Sequence, residues 1–291
     1  MQVAAQQIEQ TQAPVRQVDW VGSIPFIVMH VAGLCAFFFE FDAKAFWLVF
    51  ASYYVRMIAV TAGYHRYFSH RTYKTSRFMQ FVIAFMAQTS AQKGALWWAA
   101  NHRHHHKYSD TEEDLHSPKQ HGFWWAQMGW IMSPNSVTTH WKWIQDFAKY
   151  PELVWLNKYF LVPPTVYAVG MWLAFGWSGL FWGFFFSTML LFHGTFVINS
   201  LTHLFGRVRY RSGDGSRNSF LLALITCGEG WHNNHHYYQS TANQGWFWWE
   251  IDLSYYTLKV ASWFGLVWDL RKPPAHVKAR TIASESKEVA A

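Results

Sequence analysis

The chain has 291 residues, enough for one large domain or two small ones, and its net charge is +7 with histidine neutral. Charged residues make up only 14% and aromatic residues 20%, whereas soluble domains carry about 25% charged residues. This composition argues against a soluble nucleic-acid-binding protein and favours a membrane protein with aromatic residues at the interface. The two cysteines lie far apart in sequence and imply no disulfide framework.

Four apolar runs are each about as long as a membrane-crossing helix requires. They cover approximately 21–39, 45–62, 159–175 and 180–198, and short links join them in pairs. A buried helical pair in a soluble protein is the alternative for the first two runs. The pattern predicts an all-α integral membrane protein with four transmembrane helices in two hairpins. A cytoplasmic helical cap would carry the histidine-rich segments described below.

The flanking segments and the charge distribution predict domain limits and orientation. Residues 1–18 are polar and predict a disordered tail, 271–291 predict a solvated tail, and 19–270 would form the membrane domain. The links after the first and third runs carry almost no basic residues, while every histidine block lies on the other side. The positive-inside rule therefore places both termini and the histidines on the cytoplasmic side of a multi-pass protein.

Histidines are concentrated in four blocks near the ends of these runs. His232, His235 and His236 have H-x-x-H-H spacing, which puts them on one stripe of a helix and predicts three imidazoles directed at one point. The same spacing recurs in a second block. The complete set of candidate ligands is His65, His70, His102, His105, His106, His203, His232, His235 and His236, with Asn199 four residues before His203.

These histidines are too numerous for one ion, since a structural zinc takes four ligands and a catalytic zinc three plus water. Two metals, with one position open or filled by a water on Asn199, account for the number. Neutral nitrogen ligands with open positions suit redox-active iron. Glu229 and the acidic run Asp110–Asp114 are predicted to be partners of the ligands or solvated groups. The remaining histidines, such as His104 and His116, are predicted to be structural or on the surface.

The order and spacing of the blocks resemble the membrane fatty-acyl desaturases, most closely the stearoyl-CoA (delta-9) branch. The matching motifs are H-x-x-x-x-H at His65–His70, H-x-x-H-H at His102–His106, N-S-x-x-H at Asn199–His203 and G-E-G-W-H-N-N-H-H at Gly228–His236. The resemblance implies two iron ions bound by the histidines of these motifs, with Asn199 holding a water. It also implies an O2-dependent reaction that leaves a cis double bond, at delta-9, in a saturated acyl chain.

Such an acyl chain must be held rigidly, because its methylenes are chemically alike. The inward faces of the second and fourth runs are the expected tunnel walls. Four residues below His65 are predicted to line the tunnel, with ordinary helix packing as the alternative: Tyr53, Tyr54, Met57 and Thr61.

The acyl carrier is left open between acyl-CoA and an acyl-lipid. Animal stearoyl-CoA enzymes have an arginine two residues before the H-x-x-H-H motif, where this chain has Ala100. They also have a basic pair where Ile131–Ser136 is uncharged. Those basic residues would serve the CoA phosphates.

Electrons are predicted to come from a separate donor, either a ferredoxin or a cytochrome b5-like protein with its reductase. The basic stretches Arg66–Arg77 and Arg207–Arg217 would attract an acidic donor, or would serve only as membrane anchors. A lipid hydroxylase or acetylenase with the same site is an alternative function. A metal transporter is a more remote one, because transporters place their ligands within the spans, near the membrane midplane.

Overall fold

The structure is a computed structural model that describes residues 16–284. It is mostly helical, as predicted, and two short strands, β1 (Lys74–Thr75) and β2 (Val267–Trp268), pair antiparallel. The α-helices are α1 (Ile24–Leu34), α2 (Ala43–Ala59), α3 (Arg77–Gln88), α4 (Ala95–Tyr108), α5 (Pro118–His121), α6 (Phe123–Gln127), α7 (Gln145–Ala148), α8 (Pro151–Lys158), α9 (Val162–Ser178), α10 (Ser187–Ser200), α11 (Phe220–Ile225), α12 (His232–Tyr237), α13 (Leu253–Trp263) and α14 (Ala275–Ala279).

Two continuous helical stretches are long and apolar enough to cross a membrane. Ala43–Ser69 has 27 residues and Val162–His203 has 42, and each contains a window with a mean hydropathy of 1.5. The first predicted run yields a shorter apolar helix, Ile24–Phe38, because the helix begins only at Ile24, with Pro25 in its first turn. The described residues thus contain two continuous apolar helical stretches of that length and one shorter apolar helix.

The longer stretch reverses direction at Gly176. This residue has φ 64° and ψ −152°, a conformation that glycine adopts without steric cost. A Cβ atom added at Gly183 would lie 2.3 Å from Met171 Cε, although residues 12 apart in a straight helix are separated by about 18 Å. The segments before and after Gly176 therefore lie side by side.

The segment that carries the first of the candidate histidines follows α2 directly. Val60–Ser69 continues α2 as a π-helix and carries His65, an irregularity that is frequent at functional sites. One turn before it, Arg56 is fully buried and donates to Ser187 Oγ at 2.5 Å and to Thr188 Oγ1 at 2.6 Å. Arg56 thus pairs inward and ties α2 to α10.

The predicted solvated C-terminal tail is wrong for residues 271–284. Val277 is buried against Tyr210 and Trp246, and the backbone N–H of Ile282 donates to the Arg209 carbonyl at 3.0 Å. Val277 and Ile282 are the two large apolar residues of this segment, and they are too few to give a periodic signal from which this docking could be predicted. Most of the predicted N-terminal tail, residues 1–15, lies outside the described residues, as does 285–291.

Candidate metal centre

The structure brings all nine predicted histidines together, in two groups. Group one is His65, His70, His102, His106 and His235, and group two is His105, His203, His232 and His236. Within each group the potential ligand nitrogens lie within 4.8 Å of one another. The end of the α2 stretch, α4 and α12 form group one. The end of the α10 stretch, α4 and α12 form group two.

The spacing of each H-x-x-H-H motif predicts three imidazoles directed at one point, but in the structure they are divided between the two groups. On α4, His102 and His106 belong to group one and His105 to group two. On α12, His235 belongs to group one and His232 to group two. Residues i+3 and i+4 lie on opposite sides of residue i on a helix, roughly 60° one way and 40° the other. Each motif therefore lies between the two groups and supplies both.

In group one the ring nitrogens converge closely. The Nε2 atom of His235 lies 3.0 Å from that of His65 and 2.9 Å from that of His106. The Nε2 atoms of His70 and His102 are 2.9 Å apart. In group two, His203 Nε2 and His232 Nε2 are 3.1 Å apart.

Carboxylates lie against Nδ1 of four of the rings: those of Asp114, Asp110 and Asp214 accept from Nδ1–H, and that of Glu229 makes an ion-pair contact. Glu229 lies 2.6 Å from His65, Asp114 3.0 Å from His105, Asp110 3.1 Å from His203 and Asp214 2.5 Å from His236. A neutral imidazole with its proton on Nδ1 presents the Nε2 lone pair, the arrangement found in metal-binding histidines. Glu229, Asp110 and Asp114 thus act as the partners that the sequence predicts.

The pKa values of five of the histidines agree with neutral rings, whereas for His105 burial opposes protonation but Asp114 raises the pKa above its ordinary value. Burial, followed by the neighbouring histidines, lowers the pKa of His70, His102, His106, His232 and His235 well below its ordinary value. Burial opposes ionisation of Asp214, but His236 nevertheless holds the pKa of this carboxyl well below its usual range.

The donor set fits a pair of metal ions. The Nε2 atom of His236 is buried without a hydrogen-bond partner among the described residues, and such a group is costly unless something satisfies it. Converging neutral imidazoles suit iron, zinc or copper. A cation bound at the centre of each group would use the nitrogens that face one another there.

Sequence reasoning missed Asp214. Asp214 lies in the loop between Arg211 and Arg217, where no spacing pattern marks it. His116, predicted to be structural or on the surface, is buried with its ring centroid 4.4 Å from that of His105. His104 contacts Trp143 edge-on, with the ring centroids 5.7 Å apart, outside both groups.

A cavity of about 250 Å³ adjoins the histidines. Its wall includes Gln92, Lys93, Trp97, His102, Thr195 and Asn199. Asn199 thus lies on the wall of a space that also reaches group one through His102.

The residues that were predicted to line a tunnel lie elsewhere. Met57 packs with Leu191 and Cys227, and Tyr53 and Tyr54 border the same cluster. The Thr61 hydroxyl pairs with Ser254. A regular α-helix from Tyr53 to His65 would place these four residues on the face below His65. The π-helix that begins at Val60 changes the direction of the side chains relative to His65. The cavity is instead lined from α1, α4, α10 and the loops beside them.

A helical protein with paired histidine groups beside an apolar cavity has the make-up of a membrane-associated metalloenzyme that acts on lipid. Residues 17–268 match the model of the family described as "Fatty acid desaturase". The chain therefore belongs to the fatty acid desaturase family, and it is an oxidoreductase that acts on fatty acyl chains.

Curated relatives are similar over most of their length. An "sn-2 palmitoyl-lipid 9-desaturase" of Nostoc sp. (strain 36) is 35% identical over 86% of this chain and 89% of its own. An "sn-1 stearoyl-lipid 9-desaturase" of Synechocystis sp. is 37% identical over 88% of this chain and 81% of its own. An "Acyl-CoA C20 Delta5-desaturase" of Anemone leveillei is 32% identical, with shares of 87% and 84%.

Proposed function

We propose that the protein introduces a cis double bond at delta-9 of a saturated acyl chain carried by a membrane glycerolipid. The observation that carries this proposal is the pairing of two histidine groups with the adjoining cavity, whose wall includes His102 and apolar side chains such as Phe192 and Phe196. Two of the relatives described above are named lipid 9-desaturases. The uncharged positions at Ala100 and Ile131–Ser136 further favour a lipid over CoA.

The histidines of the two groups would hold two iron ions, which supply the activation of O2 needed to oxidise an unactivated methylene. Asn199 would hold a water molecule at group two, which has four histidines where group one has five. The carboxylates hold the rings that they contact in one orientation, so the Nε2 lone pairs are in place before a metal binds. Both groups are buried by the surrounding helices, which limits access of water to the reaction.

Four membrane crossings with the metal centre on the cytoplasmic side remain part of the proposal. The reversal at Gly176 supports the pairing of the third and fourth runs, and the contact of Gly33 with Met189 places α1 beside α10. The catalytic domain would extend from residue 19 to at least 284, because the C-terminal segment packs on Tyr210. Labelling of a single cysteine placed at Ser178 by an impermeant reagent from outside the cell tests this topology.

A separate ferredoxin or cytochrome b5-like protein would supply electrons through a narrower basic surface than the sequence predicts. Arg66 is fully buried and pairs with Glu229 and Asp252, so it cannot contact a donor. Arg207 and Arg211 are exposed. We expect turnover at saturating lipid to weaken as salt screens this surface; salt-independent turnover would contradict the docking.

Expression in a host that lacks unsaturated fatty acids tests the reaction. Lipids should accumulate a cis double bond between carbons 9 and 10, and analysis of isolated lipid classes should find it in glycerolipid without prior release as acyl-CoA. The matched control is Lys149→Met, a surface change remote from the cavity. A hydroxylated product without olefin would establish the alternative lipid hydroxylase instead.

A further inference from the structure

The loop between α3 and α4 presents a strained segment to the cavity. Ala91 and Lys93 have φ values of 58° and 61°, in the left-handed region that side chains other than glycine rarely adopt. Both residues and the intervening Gln92 line the cavity, and Gln92 Nε2 donates to Thr195 Oγ1 at 2.9 Å. Strain of this kind is concentrated at binding and catalytic sites, where it fixes the position of particular side chains.

Lys93 places a cation in this otherwise mostly apolar wall. Among the described residues that line the cavity it is the only lysine or arginine. Its ammonium group lies 4.5 Å from the centre of the Trp97 ring and donates to the Ser136 carbonyl at 2.8 Å. Burial lowers the pKa of Lys93 to about 8, so the group is still mostly charged at neutral pH.

The ammonium group has donors available for a ligand. It has three N–H donors, and within the described residues its one hydrogen bond, to Ser136, leaves two of them. That bond is also duplicated, since Trp97 Nε1 donates to the same carbonyl at 2.8 Å. Holding the loop that contains Ser136 therefore does not explain why a lysine is buried here.

The position of the Lys93 ammonium group suggests which ligand atom it meets. This group lies over the ring of Trp97, which precedes His102 by five residues on α4. At about 1.5 Å per residue, those five residues span roughly 7.5 Å. A carbonyl oxygen held at Lys93 would therefore leave the first several methylenes of the acyl chain along the cavity wall toward His102.

We infer that Lys93 anchors the substrate by donating a hydrogen bond to the carbonyl oxygen that joins the acyl chain to its carrier, and so fixes the position of the double bond. This inference rests on the proposed function and deepens it. The recognised chemistry, an acyl carbonyl, is shared by a glycerolipid ester and a CoA thioester. A headgroup phosphate would lie several atoms farther than the carbonyl from the methylenes that react.

Binding of carbonyl-containing and carbonyl-free ligands to the purified full-length protein tests the inference without requiring turnover. The first pair is 1-stearoyl lysophosphatidylglycerol and its 1-octadecyl ether analogue. The second pair is stearoyl-CoA and the S-octadecyl thioether of CoA. The wild-type protein should bind the carbonyl member of at least one pair about tenfold more tightly, as expected for a charge-assisted hydrogen bond. The pair that shows the preference identifies the carrier.

Lys93→Met should reduce that ratio to about one, while Lys93→Arg should keep most of it. The Lys149→Met variant is the matched control, because Lys149 also lies over an aromatic ring, that of Tyr150, but does not line the cavity. In active membranes, Lys93→Met should in addition yield a mixture of double-bond positions.

A wild-type ratio near one in both pairs, or no binding of either carbonyl ligand, overturns the inference. So does an equal weakening of both members of a pair by Lys93→Met, since that result would indicate recognition of another group. Failure of the proposed function is detected separately, as the absence of olefin from the lipids of the expression host.

Discussion

The two histidine groups differ in how their imidazoles are supported. In group one, only His65 has a carboxylate on its Nδ1 atom, from Glu229. In group two, three of the four rings have one, from Asp114, Asp110 and Asp214. The five rings of group one are thus positioned mainly by packing against one another. Three of the four rings of group two are positioned by charged partners.

This difference has consequences for metal binding. A carboxylate on Nδ1 fixes the tautomer of the ring and makes Nε2 a stronger donor. Two of the group-two carboxylates come from the turn after α4, and the third comes from the loop before α11. The affinity of group two should therefore depend on the loops, whereas that of group one should depend on α4, α12 and the end of the α2 stretch.

The largest expected effect follows from removing His235, whose Nε2 atom contacts both His65 and His106. His235→Ala should reduce olefin formation by more than about a hundredfold. It should also reduce bound iron from two ions to one per chain. Iron content, product yield and circular dichroism measure these outcomes. The matched control is His104→Ala on α4, which should retain product; loss of product in both variants would indicate general damage instead.

Glu229→Gln should have the next largest effect, and mainly on stability. Burial raises the pKa of this carboxyl, but His65 and Arg66 together keep it below its usual value, so it is charged. Its pair with Arg66 is fully buried at 3.0 Å, and removing one partner of such a pair typically costs about 3–5 kcal/mol.

Thermal unfolding of the metal-free protein measures this cost. Asp269→Asn is the control, because its pair with Lys74 is exposed and is expected to contribute about 0–1 kcal/mol. Equal melting temperatures for wild type and Glu229→Gln would show that Arg66 is satisfied by Asp252 alone, and the contrast between the groups would then lie entirely in metal binding.

The sequence predicts the identity of the ligands because their spacing is local. The H-x-x-H-H motifs and His65–His70 are recognisable without knowledge of tertiary contacts, and all of them join a group. The division of each motif between the two groups requires the orientation of α4 and α12. Asp214 was missed for a similar reason, since its contact with His236 joins residues 22 apart through a loop of no regular structure.

The apolar pattern predicts the helical regions better than their limits. The run at 21–39 yields a helix of fewer residues because Pro25 sets its start, and the link at 176–179 depends on the single non-helical conformation of Gly176. The cavity could not be predicted, because extrapolation from Tyr53 assumed regular α-helix where the chain forms a π-helix. These departures arise where backbone geometry, which hydropathy does not report, decides the outcome.

The smallest effect, and the most direct test of the contrast between the groups, is expected from Asp214→Asn. The amide removes the negative charge and keeps only one of the two acceptor oxygens that meet His236 Nδ1 and the Ser212 and Ser216 donors, which should lower iron affinity at group two by about 10–100-fold. Titration of metal-free protein with Fe²⁺, after circular dichroism has shown that the variant is folded, should therefore show one site of wild-type affinity and one weakened site. The Asp269→Asn variant should leave both sites at wild-type affinity. If both iron sites weaken equally in Asp214→Asn, the groups share their electrostatic support, and the division into a packed group and a charge-supported group is wrong.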